Sequence, residues 1–529
     1  MSAIISLAVL SFLLAAYFFY GRFISKILGI DPNRKTPACK NEDGVDYVPA
    51  KNWFILFGHH FASIAGAAPI VGPVVAVALW GWGPSILWIV LGSVFFGGIH
   101  DLGALIVSVR NNGKSIADIT KDVISQRAKI VFSIFLILTL ILIIAVFVYI
   151  CANTFVSDPR IVTPSLGLIF IALGFGFLLY RLKVNQFLAT ILGLSLLALL
   201  ILIGAEFPIS FGENSLEIWM VVLLGYSFIA SIIPVHILLQ PRDYLSCFLL
   251  FAGLILGYLG IFISSPKINL PAFVAWNSSS GWLWPMLLVT IACGAISGFH
   301  SLVAGGTTSK QLSTERHAQR IGYGAMLTEG ALAALALLVV IGGLSSIGQL
   351  NAILKNAGPI EAFGEGFGNV TKVILGSIGG LFAVTVLNAF VLTTLDTATR
   401  ISKYLLEELI GTKNRIFPTL LIVSLSGWLA WGGRWKQIWP LFGTSNQLLA
   451  SFTLLIISCW LLLKKRNFWV TIVPALFMLV TSVGALIYKF FTFYKDKEYL
   501  LLFICMALLA LAIYMLIDVI KIFNKYFKK

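Results

Sequence analysis

GHHFASIAGAAPIVGP, residues 58–73, lies within an apolar stretch and carries the glycines and prolines that interrupt a helix. Each proline removes a backbone hydrogen bond and clashes with the carbonyl four residues earlier. In lipid an unpaired backbone group is costly, so a broken helix persists only where protein or a water-filled cavity satisfies it. The stretch therefore predicts a broken membrane helix that forms the wall of a binding site. Its predicted substrate-binding residues are His59, His60, Ser63, Gly66, Ala67, Ala68 and Pro69.

The composition indicates a protein that crosses the membrane many times. Of the 529 residues, 59% are apolar and 11% are charged, and the mean hydropathy is +0.96. Soluble domains carry about 25% charged residues. The six cysteines stand singly, without the paired spacing of a zinc site. The sequence contains no GxxxxGK[ST] phosphate loop and no HExxH motif, so it supports neither ATP-driven transport nor zinc protease chemistry.

Stretches long enough to cross a bilayer, about 20 apolar residues each, occur fifteen times. Cytoplasmic loops carry an excess of Lys and Arg. If residue 1 lies outside, those loops hold 28 of the 37 Lys and Arg. We therefore expect a membrane protein with its N-terminus outside and its C-terminus in the cytoplasm, whose net charge of +15 faces anionic lipid rather than nucleic acid. The predicted spans lie near residues 2–20, 53–80, 84–108, 129–151, 162–180, 185–205, 217–240, 246–265, 284–309, 321–347, 371–399, 416–432, 439–463, 468–490 and 500–520.

A second interrupted span is predicted at residues 226–244, with Pro234 in mid-span and Pro241 at the cytoplasmic exit. Two interrupted spans in corresponding positions of two halves indicate the binding site of a secondary transporter. Ser231 and Pro234 therefore join the predicted substrate-binding residues. Two unrelated proline kinks are the alternative. The predicted units are an N-terminal span and loop (1–52), two inverted five-helix repeats (53–205 and 217–410) and peripheral C-terminal helices (416–529).

Six blocks of sequence, in the same order along the chain, closely resemble the carbon starvation protein CstA family. The resemblance runs from Lys51 to Leu461. It implies an inner-membrane carrier that is made when carbon is scarce and takes up pyruvate or peptides. It also implies an all-α polytopic membrane protein with a LeuT-like 5+5 inverted-repeat core and additional peripheral helices. The blocks are GHHFASIAGAAPIVGPVVA, DLGALIVSVRNNGKSIADI, IPVHILLQPRDYLS, TIACGAISGFHSLVAGGTTSK, LTTLDTATRISKYLLEELIG and WPLFGTSNQLLAS.

Titratable residues deep in the membrane are costly, which makes them functional candidates. Counted from the nearest cytoplasmic basic residue at about 1.5 Å per residue, Asp101 and Glu329 lie roughly 13 Å deep and His300 roughly 15 Å deep. These depths approach the middle of an apolar core about 30 Å thick. His236 and Asp396 lie at roughly 9 and 6 Å. We expect the five residues to line a route between the middle of the membrane and the cytoplasm.

The same residues also have structural interpretations. His100 is also a predicted coupling residue, but it leaves the helix in a different direction from its neighbour Asp101 and need not touch it. Asp101 either takes part in coupling, pairs with an arginine such as Arg110, or forms a hydrogen bond with the backbone at a helix break. Asp396 lies one turn from Arg400 and is expected to be its structural i,i+4 partner or part of a cytoplasmic gate.

Two modes of coupling remain open from the sequence. Buried acids and histidines can exchange protons near neutral pH, and Glu329 either carries such a proton or caps a neighbouring helix. Sodium coupling instead needs a cage of oxygen ligands, which hydroxyls of one span could supply opposite carbonyls freed at residues 62–66. Those hydroxyls belong to Ser297, Ser301, Thr307 and Thr308. We favour protons, because acids and histidines dominate at depth.

The expected substrate is a small carboxylate, most simply pyruvate. Bare N–H groups at a helix N-terminus attract anions, and Gly66 to Ala68 could offer them. No Arg or Lys is predicted near the middle of the membrane, so the anion would be held by dipoles alone. Peptide or amino-acid uptake is the alternative, and an intramembrane metal-dependent enzyme built on the histidines is a remoter one. We expect a carrier rather than an enzyme, with lipids as partners, no metal site and no cofactor beyond a coupling ion.

Overall fold

The computed structural model describes residues 1–44, 47–234, 237–412, 414–432 and 435–527. These residues form helices joined by short turns, with one small antiparallel hairpin of β1 (Asn277–Ser278) and β2 (Gly281–Trp282). The helices are α1 (Ser2–Phe18), α2 (Tyr20–Leu28), α3 (Pro37–Lys40), α4 (Trp53–Ile64), α5 (Ala68–Trp80), α6 (Trp82–Gly92), α7 (Gly98–Arg110), α8 (Ile116–Val123), α9 (Gln126–Ser157), α10 (Val162–Tyr180), α11 (Gln186–Glu206), α12 (Ser215–Ile232), α13 (Leu239–Ser264), α14 (Leu283–Thr290), α15 (Ala292–Ala295), α16 (Phe299–Gly306), α17 (Gly324–Gly343), α18 (Ile347–Asn356), α19 (Pro359–Leu375), α20 (Gly379–Ile410), α21 (Ile416–Ala430), α22 (Trp435–Leu463), α23 (Trp469–Lys495) and α24 (Tyr499–Phe527).

In the described part of the chain, twelve helices are long and apolar enough to cross a membrane, or thirteen if the bent pair α4 and α5 is one span. The fold is therefore that of a polytopic all-helical membrane protein, as expected. Two of the fifteen predicted segments are not among these spans. The segment 284–309 is divided into α14, α15 and α16, and α21 has 15 residues, short of the length of a span.

Burial distinguishes central from peripheral spans. In α22, 94% of the most apolar window is buried inside the protein, against 28% for the N-terminal span and for α24. The prediction that residues 416–529 form peripheral helices stays a prediction, as do the bounds of the two repeats. Within that range α22 is largely buried, and its buried side chains include Asn446, Gln447 and Thr453.

Pro234 does not interrupt a span. α12 ends at Ile232 and α13 begins at Leu239, and each forms part of a candidate span of its own. The prediction of a second mid-span break at Pro234 is wrong, because this proline follows the end of a helix, where a missing N–H costs little. His236, a predicted member of the buried route, lies outside the described residues.

Two central helices each contain a turn of π-helix. One turn, Ser93–Gly97, joins α6 to α7, and the other, Gln319–Tyr323, precedes α17. The two regions pack closely, since a Cβ on Gly322 would lie 2.8 Å from the Cα of Leu102. π-turns are rare and occur frequently at functional sites. They direct attention to the helices that contain Asp101 and Glu329.

Candidate functional site

Two interrupted helical runs lie side by side at the centre of the protein. The first consists of α4 and α5, which are bent by 47° across the break. The second consists of α14, α15 and α16. Because α5 packs against α14 and α15 while α4 packs against α16, the runs are antiparallel. Gly72 shows how closely they approach, since a Cβ there would lie 2.5 Å from the carbonyl oxygen of Thr290.

The first break leaves backbone donors without acceptors. Ala65 departs from helical geometry (φ −76°, ψ 73°), and α5 begins at Ala68 without a side-chain cap. The N–H of Gly66 donates to the carbonyl two residues earlier at 2.9 Å. Among the described residues no acceptor bonds the N–H of Ala67 or Ala68, and Pro69 has no amide hydrogen. Two amides therefore remain available to an anion at the start of α5.

The second break is braced by one residue of α22. The chain is extended at Ile296 (φ −161°, ψ 134°), and α16 begins at Phe299. Asn446 accepts the N–H of Phe299 with its side-chain oxygen at 3.0 Å and that of Gly298 with its backbone carbonyl at 3.1 Å. Its Nδ2 donates to the hydroxyl of Ser297 at 3.0 Å. The first amides of α16 therefore have protein partners, unlike those of α5.

A narrow cavity of about 10 Å³ lies between the two breaks. Gly66 and Ala68 contribute to its wall from the first run, Cys293 and Phe299 from the second, and Asn446 from α22. A neighbouring cavity of about 20 Å³ also reaches Gly66 and is lined by apolar residues of α5, α13, α17, α19 and α20. The predicted site at the first break therefore borders a small cavity on each of two sides.

Four of the predicted coupling residues form one chain of contacts. His100 Nδ1 lies 2.7 Å from Asp101 Oδ1, and His300 Nδ1 lies 2.8 Å from Asp101 Oδ2. His300 Nε2 lies 3.2 Å from Glu329 Oε2. All four residues are fully buried, and they come from α7, α16 and α17. The expectation that His100 need not touch Asp101 is wrong, because the two side chains turn toward each other despite their different starting directions.

Arg110 is not the partner of Asp101. Its Nε and Nη2 donate to Oε1 and Oε2 of Glu315, both at 2.7 Å. Nη2 also donates to the carbonyl oxygen of Gly29 at 2.6 Å, and the N–H of Asp31 donates to Glu315 at 2.9 Å. This bidentate pair joins the end of α7 to the turn before α17 and to the N-terminal segment.

The two adjacent histidines of α4 face different neighbours. His60 Nδ1 lies 2.8 Å from the hydroxyl of Thr308, just beyond α16. His59 Nδ1 lies 3.9 Å from Asp243 Oδ2 on α13. The hydroxyl of Ser63 donates to the backbone carbonyl of His59 at 2.8 Å. The α4 helix therefore contacts the second broken run with one ring and approaches a different charged group with the other.

That other group is a buried cluster around Arg242, at the start of α13. Arg242 Nη1 donates to Asp396 and to the hydroxyl oxygen of Tyr226, and the Tyr226 hydroxyl donates to Asp396 at 2.7 Å. Arg242 Nη2 lies 3.4 Å from Asp243 Oδ1. Arg242 is fully buried inside the protein and lies at the start of α13, so the expectation that no basic side chain lies near the middle of the membrane stays a prediction. Pro241, taken as a cytoplasmic exit, is inside α13.

Arg400 and Lys403 of α20 cap the end of α12. Arg400 donates to two carbonyl oxygens there at 2.5 and 2.6 Å, and Lys403 donates to that of Ser231 at 2.9 Å. The expected i,i+4 pairing of Asp396 with Arg400 is therefore not formed. The predicted substrate residues Ser231 and Pro234 do not line either cavity at the breaks.

The hydroxyls predicted as sodium ligands all bond to protein. Ser297 contacts Asn446, and Thr308 contacts His60, as above. Ser301 and Thr307 donate to backbone carbonyls of the same helix region at 2.7 and 3.0 Å. Within the described residues, no group of three or more His, Cys, Asp or Glu is arranged to hold a metal ion.

A sequence model described as "Carbon starvation protein CstA" matches residues 1–343 and 340–485. The chain belongs to this family. It is 32% identical to the peptide transporter CstA of Escherichia coli K12, over 89% of this chain and 79% of that protein. It is 31% identical to the pyruvate/proton symporter BtsT of the same organism, over 93% of this chain and 82% of that one. This CstA-family chain is therefore a multi-pass membrane transporter and not an enzyme.

The fold also resembles that of a solved transporter. A crystal structure of the Eremococcus coleocola manganese transporter, in complex with an aromatic bis-isothiourea substituted compound, superposes with a TM-score of 0.53. The match covers 91% of this chain and 99% of that one at 13% sequence identity. At this identity the likeness concerns the fold alone.

Several residues of the site were missed by reasoning from the sequence. Asn446, Arg242 and Tyr226 are the clearest examples. The first two lie inside blocks that carried the resemblance to the CstA family, WPLFGTSNQLLAS and IPVHILLQPRDYLS, so those blocks were the available signal. Tyr226 lies just before the second of these blocks.

Proposed function

We propose that this CstA-family chain is a secondary transporter that imports a small carboxylate, first of all pyruvate, by alternating access and together with protons. The observation that carries the proposal is the pair of antiparallel broken runs with a cavity between them. Secondary transporters bind substrate where such helices are interrupted, and half-helix N-termini then face anionic groups. The two unpaired amides at the start of α5 supply such donors.

The proposed core is a LeuT-like inverted repeat. Each broken run is followed by a long central helix with a π-turn, α6–α7 in the first case and α17 in the second. This correspondence supports repeats that start at the broken runs. The second repeat would then begin at α14 rather than at residue 217, with α12 and α13 inserted between the repeats.

The proposed proton site is the buried chain of His100, Asp101, His300 and Glu329. Its members alternate between imidazole and carboxylate, and both types can bind and release a proton. Because His300 follows the second break directly, movement of α16 would change its distance to Asp101. The name of the relative BtsT, a pyruvate/proton symporter, favours this mode over sodium.

Peptide uptake is the second candidate function, and the name of the E. coli relative CstA favours it. The cavity between the breaks, about 10 Å³, has no room for pyruvate or for a peptide in the present conformation. Either substrate therefore requires the two broken runs to move apart. We further propose inner-membrane insertion with the N-terminus outside, from the distribution of Lys and Arg, and use of the carrier under carbon starvation, from the family name.

Uptake into liposomes tests the proposal. The purified protein is reconstituted, and the uptake of labelled pyruvate, alanyl-alanine and alanine is followed under an imposed proton or sodium gradient, with protein-free liposomes as the control. We expect saturable pyruvate uptake with counterflow and accumulation under the proton gradient only. Accumulation that requires sodium would show that sodium, not the proton, is the coupling ion. Uptake of the dipeptide alone would show that the substrate is a peptide rather than pyruvate. Flux that does not saturate would contradict a carrier.

A further inference from the structure

Two arginine–carboxylate pairs in this chain, Arg110 with Glu315 and Arg242 with Asp396, differ in how the arginine is used. Arg110 presents its Nε–Nη2 edge to Glu315, and each nitrogen bonds one carboxylate oxygen at 2.7 Å. Arg242 instead meets Asp396 with Nη1. Its Nε has no partner among the described residues, and its Nη2 has only the 3.4 Å contact to Asp243. The Nε–Nη2 edge is therefore fully hydrogen-bonded in Arg110 and almost without hydrogen bonds in Arg242.

Such unpaired donors are unusual because Arg242 is fully buried. Buried donors are almost always bonded, and one left open carries the full cost of losing water. The Nε–Nη2 edge of a guanidinium matches a carboxylate with two parallel hydrogen bonds. The other side of the pair is also incomplete, since Asp396 Oδ1 has no partner among the described residues.

The position of Arg242 connects it to the broken helix. Its neighbour Asp243 lies 3.9 Å from His59 of α4. Its partner Asp396 is on α20, two residues after Thr394, which lines the cavity between the breaks. The vacant edge therefore lies beside the half of the first run that precedes the break, whereas the unpaired amides begin the half that follows it.

We propose that Arg242 binds the carboxylate of the transported substrate through its Nε–Nη2 edge. It would form a second binding site on the transport route, separate from the one at the helix breaks. The proposal rests on the proposed function and names the chemistry of that same route. It applies to any substrate with a carboxylate end, whether a keto acid or a peptide.

The charges of the cluster fit a bound carboxylate. Three buried basic residues, Arg242, Arg400 and Lys403, lie near two buried carboxylates, those of Asp243 and Asp396, so the five residues carry a net charge of +1 when all are ionised. A bound monoanion would make the cluster neutral.

Binding measurements with conservative variants test the proposal. Isothermal titration of the purified full-length protein with pyruvate and with alanyl-alanine gives the affinity for each carboxylate, and methyl pyruvate, which lacks the charge, shows how much affinity depends on it. We expect Arg242→Lys, which keeps the charge but loses the fork, to weaken carboxylate binding at least tenfold. The matched control is Arg160→Lys. Arg160 already forms a bidentate pair with Asp158, at 2.7 and 2.9 Å. We therefore expect the Arg160→Lys variant to bind each carboxylate with the affinity of the wild type.

A second variant keeps the test decisive if Arg242→Lys does not fold. Asp243→Asn removes the competing carboxylate beside Nη2 but leaves Arg242 paired with Asp396, so we expect carboxylate binding to tighten severalfold. A merely structural ion pair would show no such gain.

The outcomes separate this inference from the function it rests on. Unchanged binding by Arg242→Lys, or weaker binding by Asp243→Asn, would overturn the role of Arg242 while a carrier remained. If the wild type binds neither pyruvate nor the dipeptide, the proposed function is wrong and the assignment of Arg242 falls with it. Weakened binding of pyruvate alone, of the dipeptide alone or of both would each support Arg242 and identify which carboxylate it meets.

Discussion

The two breaks at the centre of this transporter differ in what satisfies their backbone. At the first break, the amides of Ala67 and Ala68 have no acceptor among the described residues. At the second, Asn446 accepts the amides of Gly298 and Phe299. An unpaired amide in a buried position is costly unless a ligand completes it. We infer that the first break receives the substrate, whereas the second is fixed by protein and positions the helix that carries His300.

We expect the largest effect on transport when the space at the first break is filled. A Cβ on Gly66 would lie 2.5 Å from the hydroxyl oxygen of Thr394, so Gly66→Leu overfills the contact and occupies the cavity. Overpacking typically costs about 1 to 3 kcal/mol, and we expect both exchange and accumulation of pyruvate to be lost. The measurement is counterflow and gradient-driven uptake in liposomes.

The matched control is the same substitution at Gly174 of α10, where a Cβ would meet nothing within 4 Å. We expect Gly174→Leu to transport as the wild type does. Normal exchange by Gly66→Leu, at wild-type protein levels, would show that the substrate does not pass the first break.

A second substitution separates coupling from binding. Asp101→Asn removes the charge that both His100 and His300 contact, at 2.7 and 2.8 Å, but leaves the first break untouched. We expect accumulation driven by a proton gradient to be abolished, while exchange of labelled for unlabelled pyruvate continues at a reduced rate. Accumulation to the wild-type level would mean that Asp101 is structural, and the proton site would have to be sought elsewhere.

The sequence predicted the first break but not the second, for a physical reason. Pro69 and Gly66 interrupt a helix by local chemistry, which is visible in any sequence. The second break has no proline at its centre and depends on Asn446, which lies 147 residues after Phe299 in the chain. Pro234, in contrast, has the right local chemistry but follows the end of a helix.

The residues of the candidate site could likewise be predicted only where local sequence determines them. Depth along a helix brought out Asp101, His300 and Glu329, because polar residues in long apolar segments are conspicuous. The contacts among them depend on how three helices pack, and sequence spacing gives no such distances. Arg242 escaped notice because it was taken as a basic residue of a cytoplasmic loop, and its contacts with Tyr226 and Asp396 depend on the packing of three helices.

The third prediction weakens the brace at the second break. Asn446→Ala leaves the N–H of Phe299 and the hydroxyl of Ser297 without their side-chain partner, and such buried groups cost about 1 to 3 kcal/mol. We expect a lower unfolding temperature and a slower transport rate, with a smaller change in the apparent KM. Asn446→Asp keeps an acceptor for Phe299 and should retain more activity. If both variants melt and transport as the wild type does, the second break does not depend on Asn446.

The smallest expected effect concerns the contact between the two runs, where His60 Nδ1 lies 2.8 Å from the Thr308 hydroxyl. Thr308→Val removes the hydroxyl at nearly constant volume, and one such hydrogen bond contributes about 0.5 to 1.5 kcal/mol. If the contact only joins the runs, we expect transport to slow by less than about tenfold, with proton coupling intact. Thr308→Ser restores the hydroxyl and should recover most of the rate. Thr308 is also a predicted sodium ligand, so the same pair of variants distinguishes the two roles. If sodium drives uptake, Thr308→Val should raise the sodium concentration needed for a half-maximal rate. In that case the second broken run would also contain an ion site, at the end of α16.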